Sequence, residues 1–326
     1  MHDRYGITAT VDELVKQRGR AAHVHLRPRA RVRTLGSGGY ESTFRGRGLE
    51  FDEARIYQPG DDLRTIDWRV TARTGRVHTK LFHEERERPV LLVVDQRPGM
   101  RFGTRDAFKS VQAARAAATL AWAARDGGDR VGGMVITANG CREIAPQRSR
   151  GRLLAFLRAL GDATSEGLEP ASHEAPCVAS GDAAPPSLAG ALERIRRVQR
   201  PGTLVVIVSD FADLDEDAER ALSRLAARCE VGCILVYDAL EADAPPDGAY
   251  RVSDGRRVAS VFTGDRRWRA EYAARFAARR DRLADLCRRR RIALLPLRTG
   301  EDCAEVLRAD RFARAFGART PSRAHA

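Results

Sequence analysis

The chain has 326 residues, 43% of them hydrophobic, which suits one large domain or a domain with a smaller attachment and lies clear of disordered composition. It has no apolar run near the roughly 18 residues of a membrane span and no apolar leader core in "MHDRYGITATVDELVKQRGR", so a cytoplasmic protein without membrane insertion is expected. The net charge of +13 is nearly all arginine, spread through every segment with aromatics at only 6%, which favours solvated faces over a nucleic-acid surface of clustered charge and stacking rings.

Residues 1–88 are charged, glycine-containing and weakly periodic. A short helix is predicted over residues 10–16, and "LGSGGYESTFRGRGLEF" reads as a turn-rich segment leading into extended structure. From Pro89 the character changes. "PVLLVVD" (89–95) is an apolar run ending in a carboxylate, as expected of a strand buried on both faces. A helix follows over 107–125, stopped by Gly127-Gly128, then strands over 130–136 and 140–146, the latter at an edge, and a helix over 150–160. Residues 161–186 have linker composition and form a flexible insertion. Ser187 is the expected cap of the next helix. "GTLVVIVSD" (202–210) is a second strand ending in an acid, followed by a helix over 214–228 and a buried strand over 230–238.

In "CEVGCILVYD", Cys229 and Cys233 read as one strand face, about 13 Å apart, too far for a disulfide or one tetrahedral metal site. Buried free thiols are the reading. A β-hairpin over 248–262, a long helix over 268–290, a strand over 292–297, a helix over 304–316 and a frayed tail over 317–326 complete the chain. Strands alternating with helices predict an α/β fold with a doubly wound, mostly parallel sheet, preceded by a smaller extended region over 1–88. Ligands on such sheets gather at the C-terminal strand ends, which draws attention to Asp95 and Asp210.

The usual motifs of catalysis are missing: no G-x-G-x-x-G follows the first strand, and no Walker, G-x-S-x-G or H-E-x-x-H pattern occurs. "DFADLDED" (210–217) lacks the calcium-loop glycine, and its acids suit the first turn of a helix. The densest charged stretch is "EFDEARIYQPGDDLRTIDWRVTARTG". Pro59-Gly60 suits a type II turn, and Arg64, Asp67 and Arg69 follow at close spacing. With Arg55, Arg64, Arg69 and Arg73 near them, these acids should stay ionised, which disfavours acid–base catalysis. They form either an ion-pair scaffold for the first 88 residues or a partner-docking surface through Arg55, Asp61, Asp62, Arg64, Asp67 and Trp68.

"FRGRGLEFDEARIYQPGDDLRTIDWRVTAR", "FHEERERPVLLVVDQRPGMRFGT" and "VIVSDFAD" closely resemble the bacterial domain-of-unknown-function family 58, over roughly residues 10–312. The resemblance implies a von Willebrand factor A-like domain of Rossmann type. It also implies a non-catalytic adaptor that works with a MoxR-type AAA+ ATPase on a protein target. In the related domains a D-x-S-x-S motif binds Mg²⁺ and, through it, a partner carboxylate. Here Asp95 matches the first position, Arg97 and Gly99 stand in place of the two serines, Pro186-Ser187 stands at the threonine loop, and Asp210 matches the distal acid. An unavoidable positive charge beside Mg²⁺ is unfavourable. The reading is therefore no cofactor, with Arg97 in the cation's place, paired with Asp95 or Asp210 and facing a partner. The alternatives are an Mg²⁺-dependent enzyme at Asp95 and Asp210 and, behind it, a nucleic-acid-binding protein.

Overall fold

The computed structural model describes residues 6–24, 26, 49–59, 63, 66–84, 88–166, 186–253 and 258–308. The chain divides into two compact units, residues 1–30 with 88–326, and residues 31–87. Helix α1 (Val11–Ala21) is capped by Thr10, whose side chain accepts from the Glu13 N–H. It runs beyond the expected 10–16 because Leu14, Gln17 and Ala21 bury against the larger unit. The partition expected at residue 88 is thus corrected at its start: the first helix belongs with the sheet.

In the smaller unit, β1 (Leu49–Ile56) pairs antiparallel with β2 (His78–Glu84), and α2 (Trp68–Thr74) lies in the connection. The extended structure expected before Pro89 is this hairpin.

The larger unit continues with β3 (Pro89–Asp95), a 3-10 turn over Pro98–Met100, α3 (Lys109–Asp126), β4 (Arg130–Thr137), β5 (Gly140–Gln147) and α4 (Arg150–Ser165). Then come α5 (Leu188–Val198), β6 (Leu204–Ser209), α6 (Glu216–Ala226), β7 (Glu230–Tyr237) and α7 (Ala239–Ala242). A second hairpin of β8 (Ala249–Ser253) and β9 (Val258–Phe262) precedes α8 (Arg266–Arg290), β10 (Ala293–Arg298) and α9 (Cys303–Val306). The helix expected over 150–160 extends to Ser165, because Gly161, Ala163 and Thr164 still bury on its inner face. The rest of the insertion, 167–185, lies outside the described residues, as do 309–316 of the last expected helix and the tail.

Six strands form one sheet in the order β10-β7-β6-β3-β4-β5, all parallel except the antiparallel edge β5. Alternate residues of each strand enter opposite cores. Val90, Leu92 and Val94 join α1, α3, α4 and α9 on one face. Leu91 and Val93 join α5, α6 and α8 on the other. Cys229 precedes β7 rather than lying in it, and both it and Cys233 are buried free thiols. A hydrogen bond to Cys287, then burial, push the Cys233 thiol well above its usual pKa. No helix among the described residues is long and apolar enough to cross a membrane.

Candidate functional site

The strand order reverses between β3 and β6, so the crevice at their carboxyl ends is where a ligand of such a sheet would sit. Asp95 closes β3, and β6 runs through Ser209 into Asp210; all three side chains are buried.

Arg97 folds back over the end of β3. Its Nε donates to Asp95 Oδ1 at 2.9 Å and its Nη2 to Asp95 Oδ2 at 2.7 Å. Nη1 and Nη2 donate to the two oxygens of Asp213 at 2.5 and 2.9 Å, and Nη1 also reaches the Pro186 carbonyl at 3.3 Å. These contacts engage all five donors of the guanidinium. Asp95 accepts further from the Arg97 N–H and from Ser209 Oγ. Asp213 accepts the Leu188 N–H at 3.0 Å, which ties the start of α5 to the same cluster. Burial by itself would lower the pKa of Arg97, but hydrogen bonds to Asp95 and Asp213 outweigh it and the net shift is upward. Burial likewise pushes Asp213 up, yet its bonds to Arg97 and Leu188 hold it below the usual carboxylate value.

A second cation lies alongside. Lys109 opens α3 and is 1% exposed; its Nζ donates to Asp210 Oδ2 at 2.7 Å and to Glu241 Oε1 at 2.8 Å. A cation opposes the dipole at a helix N-terminus, so the two carboxylates are what hold it there. Asp210 Oδ1 accepts the Ala212 N–H at 3.0 Å, and the intervening Phe211 is buried at φ 50°, a left-handed conformation rare for an aromatic residue.

Arg97 therefore meets Asp95, but its second carboxylate is Asp213 rather than Asp210, which Lys109 takes instead. Residue spacing missed Lys109, Asp213, Ser209 and Glu241. Asp213 was read as a first-turn acid, whereas α6 begins at Glu216 and is capped by Asp215. Lys109 carried one legible signal, being among three lysines in a chain that otherwise uses arginine.

The divalent cation implied by the resemblance does not fit these residues as they stand. Asp95 and Asp210 each face a fixed positive charge within hydrogen-bond distance. Ser187 spends its Oγ accepting from the Gly190 N–H as the cap of α5. Space is not the obstacle: a Cβ built at Gly99 would lie 3.8 Å from Asp210 Oδ2, an ordinary contact. Among the described residues no group of three or more His, Cys, Asp or Glu is placed to hold a metal.

In the smaller unit, Asp67 is buried and its Oδ1 accepts from the N–H groups of Arg69 and Val70 at 3.0 and 3.1 Å, capping α2. Its own N–H donates to the His78 carbonyl, and Ile66 bridges to Thr79, so this end of the motif is fastened to β2. Trp68, the next residue, is 69% exposed. Ile56 and Val77 are exposed at the same end of the hairpin, where Ile56 pairs with His78 and the Tyr57 N–H donates to the Val77 carbonyl. Leu63 is exposed as well. Arg55 is half-buried and reaches the Ile56 carbonyl. Asp61, Asp62 and Arg64 lie outside the described residues.

The family described as "Protein of unknown function DUF58" matches residues 53–282. The chain is 33% identical over 265 residues to an uncharacterized protein, Rv1480, of Mycobacterium tuberculosis, covering 81% of this chain and 79% of that one. Among solved structures, it is similar to the conserved hypothetical protein BatB of Bacteroides thetaiotaomicron, with TM-score 0.39 and 14% identity over 70% of this chain and 99% of that one. It is also similar to a von Willebrand factor type A protein of Catenulispora acidiphila, with TM-score 0.35 and 13% identity over 74% of this chain and 44% of that one.

Proposed function

The chain belongs to the DUF58 family, and on that premise we propose that it is a non-catalytic protein-interaction module that docks a MoxR-type AAA+ ATPase and a protein target. The observation that carries the reading is Trp68, exposed at the first position of α2, the helix that Asp67 caps. A large rigid ring held out to solvent, in a unit that also exposes Ile56, Leu63 and Val77, has the chemistry of an interface anchor. Asp67 then supports the surface, while Trp68 makes contact. Arg97 organises the sheet end, because its donors are already engaged within the chain.

The closed charge centre supports the same reading. An enzyme built on Asp95 and Asp210 would first have to displace two buried or half-buried cations from their carboxylates. Docking needs no such rearrangement and no divalent ion.

The test is retention of a purified MoxR-type ATPase from the same genome on the immobilised chain. The wild type should retain it. Trp68→Ala should weaken retention by about 2 kcal/mol or more while leaving the circular-dichroism melting curve unchanged. No retention by the wild type, or equal retention by the variant, would overturn the proposal.

A further inference from the structure

Helix α8 is 25 residues long yet buries only Phe276, Leu283, Leu286 and Cys287. It carries ten arginines against three acids, so most of its surface is a basic face turned to solvent. Beside α6 that face becomes concave. A groove of about 590 Å³ is lined by Arg220 and Arg224 of α6, by Arg282, Arg289 and Arg290 of α8, and floored by the apolar Leu286. Glu216 and Glu219 of α6 line it as well.

The lining arginines make intramolecular pairs: one within α6, one from α6 to α5, and one from α8 to α6. Arg220 with Asp217, Arg224 with Glu193 and Arg282 with Glu219 all have arginine side chains close to half exposed or more. Exposed pairs of this kind contribute little to stability, so their arginines can be re-paired with small cost. Among the described residues, Arg290 reaches only the Ser223 hydroxyl and Arg289 has no acidic partner.

We infer that the α6–α8 groove is a docking site for an acidic segment of a partner protein, with carboxylates meeting Arg220, Arg224 and Arg289 and an apolar side chain resting on Leu286. Guanidinium forks recognise carboxylates in a planar, directional way. A nucleic acid fits less well, because the lining offers no aromatic ring for base stacking. The site is distinct from the Trp68 surface and stands or falls apart from it.

The experiment is fluorescence anisotropy of the full chain with a labelled peptide of repeating Glu-Glu-Leu, set against an oligothymidylate of equal length. The peptide should bind more tightly, and its affinity should fall as salt is raised. Arg220→Gln/Arg224→Gln/Arg289→Gln should weaken peptide binding by about tenfold or more. The matched control, Arg150→Gln/Arg152→Gln/Arg158→Gln on α4 at the opposite face of the sheet, should leave it unchanged, as should Trp68→Ala. Glutamine keeps the helix propensity of arginine, and equal melting temperatures would establish that both triple variants fold. Absent peptide binding, tighter binding of the oligothymidylate, or equal loss in the two triple variants would overturn the inference.

Discussion

The guanidinium of Arg97 is planar and offers five donors, whereas Lys109 ends in a compact ammonium, and each suits the carboxylates it faces. Arg97 lies between two acids whose oxygens are spread along its fork, and it also reaches a backbone carbonyl. Lys109 points at one oxygen from each of Asp210 and Glu241 in a space with almost no solvent. The Arg97–Asp213 pair makes stability depend on pH in a defined direction. The folded pKa of Asp213 is depressed, so its contribution is fully present above the unfolded value of about 4 and is lost as pH falls through the lower folded value. Asp213→Asn should therefore melt below the wild type at neutral pH, with the gap narrowing as pH drops below about 4. Melting temperatures of both proteins across that range are the check, and a gap that stays constant would deny Asp213 this role.

At the scale of elements, β4 illustrates why a strand uses glycine. A Cβ at Gly133 would lie 2.1 Å from the Phe156 ring of α4, and one at Gly132 would meet the backbone of β5. The "RVGGMVI" run was legible as a strand, but its two glycines acquire a reason only when α4 is laid on the sheet. Gly133→Ala should destabilise the protein by about 1–3 kcal/mol through overpacking, read by urea denaturation. Capping was more local, and therefore more legible: Ser187 opens α5 as expected, because a cap and its helix are neighbours in sequence. Helix α1 extended past its expected end for the opposite reason. Its last turns are held by distant partners, among them Asp126 of α3, which accepts from the Arg18 Nε at 3.2 Å, and by burial of Gln17 and Ala21.

For the whole molecule, the two cations at the sheet end imply indifference to divalent ions. A ligand that binds the native state raises the melting temperature by mass action. Added Mg²⁺ or Mn²⁺ should leave the melting temperature unchanged; a rise that disappears in Asp95→Ala would show that the site takes a metal after all. The parallel doubly wound sheet, its edge strand and the second hairpin could be read from the sequence alone. Apolar runs, turn residues and helical spacing are local signals, and strands buried on both faces write them strongly. Within the charged motif, local spacing put Asp67 and Trp68 in one class, and only the fold separated them, burying the first and exposing the second. The pairing at the crevice was likewise decided by tertiary structure. Arg97 and Asp213 are 116 residues apart, and Lys109 and Asp210 are 101 apart. Which acid meets which cation depends on how separate loops converge at the end of β3 and β6, and a chain rich in both charges carries no local mark of that choice.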